Sequence, residues 1–185
     1  MSIRMSVTWL PVALLPAALF AQTPAPAAPA APTKPTAEHH RLDAFVGTWN
    51  TEGQAQESPY GPAGKMTGTD TFEWLAGGFF MNHHWEVRQG SAEQKGLEII
   101  GYDGRNKAYT SRFFDSVGNA GSLRGRLQAN AWTWTGDSDV AGKPMKERCT
   151  LIVVKPDTYT NKCEYSFDGA KWLPNFEVRS TRAPQ

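Results

Sequence analysis

Four histidines stand as two adjacent pairs, His39-His40 and His83-His84. Imidazole is the side chain that most often binds metals and moves protons near neutral pH. Adjacent residues of a strand point to opposite faces, so His83 and His84 cannot both reach one ion. The chain has no HExxH run and no paired-cysteine ligand spacing, so no metal and no cofactor are expected. Gly136-Asp137-Ser138 sets a hydroxyl beside a carboxylate. It lacks the Gly-x-Ser-x-Gly elbow, and its residues are those of turns, so a hairpin loop is expected there. Spacing identifies no carboxylate pair for acid–base work, and no catalytic residue is assigned.

His83 stands out because of the stretch that carries it. Phe79, Met81, His83, Trp85 and Val87 share one face at a period of two, against Phe80, Asn82, His84, Glu86 and Arg88 on the other. His83 is therefore expected to face inward and His84 to face solvent. The same alternation recurs along the chain. Trp49, Thr51 and Gly53 share a face, as do Asp70, Phe72 and Trp74, then Tyr109, Ser111 and Phe113, and then Trp132 and Trp134. Turn clusters separate these runs, among them Ser58-Pro59-Tyr60-Gly61-Pro62, Ala76-Gly77-Gly78 and Asp168-Gly169. The count is about ten short strands in an all-β chain, an antiparallel up-and-down β-barrel. One helical segment precedes them: His39, Leu42, Phe45 and Val46 fall on one face and would lie across one mouth. Of its histidines, one is expected to pack or cap and the other to be solvated.

The ends of the chain give an address. Arg4 precedes an apolar run from Val7 to Phe20, closed by Ala21, which is the pattern of a secretory signal over residues 1–21. Pro11 and Pro16 interrupt the run, and it is too short for a convincing membrane span. Residues 22–37 form a Pro/Ala linker, which favours extended polyproline II over a packed core. Residues 38–185 remain as one barrel domain, exported to the periplasm or beyond, with no membrane span in the mature chain. Lys and Arg number 19 against 18 Asp and Glu, and removal of the signal takes only Arg4. A neutral domain has no electrostatic reason to bind nucleic acid or an anionic membrane.

Cys149 and Cys163 flank Lys155-Pro156-Asp157 as the arms of a hairpin would. If Val154 pairs with Thr158, Cys149 falls opposite Cys163. A disulfide is expected, since an exported chain meets oxidants; the alternative is two buried thiols acting as small apolar groups.

Phe45-Val46-Gly47-Thr48-Trp49-Asn50 ties these elements together. Gly47 permits a tight turn or close approach, and Trp49 shares its face and can plug one end of a barrel. A helical turn, then Gly47-Thr48-Trp49, then a run of strands ending near a basic residue, resembles the calycin-type barrels: lipocalins, fatty-acid-binding proteins and nitrobindins. The resemblance implies that a basic residue of the last strand closes over Trp49. Arg182 shares parity with Phe176 and Val178 and is the better candidate; Arg179 is the alternative. Nitrobindin-like barrels hold haem through a His near the C-terminus, and no His follows His84, so haem does not carry over. The chain is also similar to the bacterial domain-of-unknown-function 1579 family. The matching residues are His39-x-x-Leu42, Gly47-Thr48-Trp49, Trp74-Leu75-Ala76-Gly77-Gly78-Phe79-Phe80, Gly101-Tyr102-Asp103, Asp115-Ser116, and Asp168-Gly169 with Trp172. That likeness implies a barrel and often export, and no activity.

The expected role is binding a small, largely apolar molecule. The inward faces would supply Trp74, Met81, Trp85, Tyr109 and Phe113, with His83 fixing the ligand's polar end. Two alternatives stand beside it. One is an interaction or structural module whose barrel is filled by its own side chains. The other is an enzyme on a small molecule using His83 as acid or base.

Overall fold

The computed structural model describes residues 34–184. The expected signal segment, 1–21, lies outside the described residues, as does the linker from 22 to 33. Thr36 caps a short helix, α1 (Ala37–His40), which continues as a 3₁₀ turn, Arg41–Phe45.

Ten antiparallel strands follow: β1 (Gly47–Ala55), β2 (Gly64–Trp74), β3 (Phe80–Gln89), β4 (Ala92–Asp103), β5 (Ala108–Asp115), β6 (Ala120–Gln128), β7 (Ala131–Val140), β8 (Lys143–Lys155), β9 (Thr158–Ser166) and β10 (Leu173–Arg182). Each pairs with its neighbours in sequence, and β10 pairs back onto β1 through Trp49↔Arg182. The barrel is closed, so no strand presents unpaired backbone at an edge. The period of two explains the fold: alternate residues point into the barrel, and the others meet water.

The helical end is plugged. Leu42 and Phe45 are buried, and the Phe45 ring meets Trp132 at 5.5 Å and Phe72 at 5.7 Å. The Trp49 indole N–H donates to the Phe45 carbonyl at 2.7 Å. Arg182 lies over the Trp49 ring at 4.2 Å. Its guanidinium also donates to the carbonyls of Val46, Ala44 and Pro156. Gly47 has φ +115°, and a Cβ there would lie 2.8 Å from Arg182 Nη1, so both the turn and the close approach require glycine. His39 is buried edge-on against Phe79 and Tyr102, with Nδ1 within 3.0 Å of the Thr36 N–H, while His40 is exposed.

Two local expectations are corrected. Gly136-Asp137-Ser138 is not a loop: alternation continues to Val140, and the chain turns at Ala141 and Gly142, both at positive φ. Val154 does not pair with Thr158, because a bulge places Lys155 there. Val153↔Tyr159 keeps the register, so Cys149 still faces Cys163. The two form a disulfide with Cα atoms 4.1 Å apart. Among the described residues, no helix is long and apolar enough to cross a membrane.

Candidate functional site

Above the plug the lumen holds a cavity of about 310 Å³. Leu42 and Phe45 form its floor, and exposed Gln56, Pro62 and Ala92 border its opposite end. That end gathers the β1–β2, β3–β4, β5–β6, β7–β8 and β9–β10 connections. The longest, residues 56–63, folds partly over the opening. It is held by Ser58 Oγ donating to Asn175 Oδ1 at 2.9 Å and by the Tyr60 hydroxyl, 3.3 Å from Ser138 Oγ.

Space survives among so many aromatic residues because three of them face glycine across the strand pair. Trp85 opposes Gly96, Phe113 opposes Gly121, and Trp134 opposes Gly125. A Cβ on Gly96 would lie 1.9 Å from the Trp85 ring; on Gly121, 2.4 Å from Phe113; on Gly125, 2.6 Å from Trp134. The rings therefore lie against the wall rather than across the lumen. Cross-strand aromatic–glycine pairing is a known device of curved sheets.

The polar centre of the cavity is His83. Its Nδ1 is 2.8 Å from Glu98 Oε2 on β4, and its Nε2 is 2.9 Å from Asp70 Oδ1 on β2. The imidazole stacks on Phe72 at 3.9 Å. Thr51 donates to the other Asp70 oxygen and Ser111 to the other Glu98 oxygen. Burial opposes the charged ring. Hydrogen bonds and Coulomb attraction from the two carboxylates override it and raise the pKa to about 9. His83 is thus an imidazolium at neutral pH with both N–H groups committed. These groups form a line of hydrogen bonds, and among the described residues no three metal-ligating side chains converge on a point.

A further carboxylate lies toward the open end. Glu147 on β8 is 6% exposed, and its Oε2 has no hydrogen-bond partner. Burial, with repulsion from Glu98, pushes its pKa up to about 7, against the lowering influence of the nearby Tyr60 and Ser138 hydroxyls.

Of the residues expected to bind a ligand, His83, Trp85 and Phe113 line the cavity, while Trp74, Met81 and Tyr109 do not. All three lie toward the plugged end. Met81 is fully buried there. The Trp74 indole donates to Asp43 Oδ1 at 2.7 Å, and the Tyr109 hydroxyl donates to the Glu38 carbonyl at 3.0 Å. Asp70, Glu98 and Glu147 are cavity residues beyond those expected from the sequence. Their parity was the available signal: Glu98 alternates with Ile100, and Glu147 with Cys149 and Leu151, so each is an acid on an apolar face.

Solved structures share the fold. The S-type phycobiliprotein lyase CPES of Guillardia theta is 10% identical, with 81% of this chain and 94% of that one aligned at a TM-score of 0.57. Rv2717c of M. tuberculosis is 8% identical, with 80% of this chain and 99% of that one aligned at a TM-score of 0.62. No curated protein matches the sequence. The family model for proteins of unknown function DUF1579 matches residues 34–182, and the chain belongs to that family.

Proposed function

We propose that this is an exported barrel that binds a small, largely apolar molecule in its lumen. The observation that carries it is the cavity of about 310 Å³, walled by Trp85, Phe113, Trp134 and Leu123 and entered from the end opposite the helix. Apolar walls with a few placed polar groups suit a ligand of that size. A barrel serving only as a filled module has no need of three glycines that hold aromatic rings against its wall. The disulfide supports an oxidising compartment, as does the signal pattern of residues 1–21. Catalysis by His83 is disfavoured, because both ring nitrogens already serve Asp70 and Glu98.

Ala55 faces the cavity from β1, so Ala55→Trp would fill it. Mass spectrometry of organic extracts is expected to find one compound retained by the native protein and missing from the folded variant. Identical extracts from the two proteins would contradict the proposal.

A further inference from the structure

The three half-buried carboxylates along the cavity have both oxygens satisfied. Asp70 is held by His83 and Thr51, and Glu98 by His83 and Ser111. Asp115 accepts from the N–H groups of Val117 and Asn119 and from the side chains of Asn119 and Gln94. Glu147 is fully inside the wall, and its Oε2 meets no donor. A buried acceptor without a donor is costly, and the cost is relieved when a donor arrives.

The surrounding charge says what kind of donor. The cavity lining carries four carboxylates, Asp70, Glu98, Asp115 and Glu147, and, among the described residues, no Lys or Arg. His83 is the one basic group, and its charge is already shared by two of those acids. Such a lumen attracts a cation and repels an anion, and does so more strongly for being shielded from water.

We propose that the ligand is an apolar amine whose protonated nitrogen donates to the carboxylate of Glu147. This rests on the reading of the lumen as a small-molecule pocket and names the ligand's class. The amine's apolar body would lie against Trp85, Phe113 and Trp134, below the loop that carries Tyr60. A charge-assisted hydrogen bond would then join the two.

The titration of Glu147 near neutrality gives the interaction a pH dependence. The charged or titratable groups that face it are Tyr60 from the β1–β2 connection, Glu98 from β4 and its β9 register partner Tyr165, with Asp115 at the end of β5 behind Tyr60. Beyond them lie His83 on β3 and Asp70 on β2. Its β7 neighbours, Gly136 and Ser138, are uncharged.

The test uses 1-naphthylmethylamine and 1-naphthylmethanol, which share an apolar body and differ in the charged donor. At about pH 8, where Glu147 is ionised, the intact protein should bind the amine at least about tenfold more tightly than the alcohol. In Glu147→Gln that preference should shrink to under about threefold. In wild type it should also shrink at about pH 6, where Glu147 is protonated. Equal affinities in wild type at the higher pH overturn the amine proposal and leave the pocket standing, as does a preference that survives in Glu147→Gln. If that variant does not fold, a wild-type preference unchanged between the two pH values overturns it. Failure of both probes to bind overturns the pocket reading and the amine proposal together.

Discussion

His83→Phe is expected to destabilise the folded protein by about 3–5 kcal/mol at pH 6.5, the usual cost of removing one partner of a buried charge group. The substitution keeps a flat ring against Phe72 but strands Asp70 and Glu98 with no cation between them. The loss should depend on pH in a defined direction. The His83 pKa is raised from 6.5 to about 9, so its contribution is fully present below 6.5 and disappears as pH rises through 9. A shift of that size corresponds to about 3 kcal/mol. Urea denaturation of wild type and variant at several pH values should show the gap narrowing between those limits. Adding Asp70→Asn and Glu98→Gln to His83→Phe removes the stranded charges and should restore much of the loss. A single variant as stable as wild type at pH 6.5, or a gap that widens toward pH 9, would contradict the assigned network.

Breaking the Cys149–Cys163 bridge is expected to cost about 3 kcal/mol, because the cross-link closes a short loop and restricts the unfolded chain. For a domain of this size that is a fall in Tm of about 6–12 °C. The bridge joins β8 to β9 directly across their register, so it should add stability without reshaping the barrel. Paired melts with and without reductant test the value. The Cys149→Ala, Cys163→Ala double variant separates loss of the bond from effects of the reductant. Two free thiols in unfolded, unreduced protein, or coincident melts, would refute it.

The barrel was legible because its signal is a simple one. Trp132 and Trp134, or Leu123 and Leu127, announce a face by parity alone, and one face is enough to fix a strand. Depth along the barrel axis was not legible, since parity says inward but not how far from the plug. Met81 and His83 share a face, yet Met81 packs at the plugged end and His83 lines the cavity. Trp74 and Tyr109 likewise share an inward face and sit at the plugged end, beside Asp43 and Glu38. The acids carry no shared sequence signal, because each stands in a different strand. Asp70 and Glu98 meet His83 only through the β2–β3 and β3–β4 registers, which turn lengths and bulges decide. Gly136-Asp137-Ser138 looked like a turn from composition, but alternation from Trp132 to Val140 outweighed it.

The central claim is that the lumen is open to a small apolar molecule. Titration of the neutral fluorophore N-phenyl-1-naphthylamine into wild type and Ala55→Trp tests it most directly, with circular dichroism confirming that both are folded. Wild type should bind one equivalent with enhanced probe emission. Ala55→Trp should show no saturable binding, because the added indole takes the space that Ala55 leaves at the cavity wall. A folded wild type that leaves the probe's emission unchanged, or a variant that binds it equally well, would contradict the account.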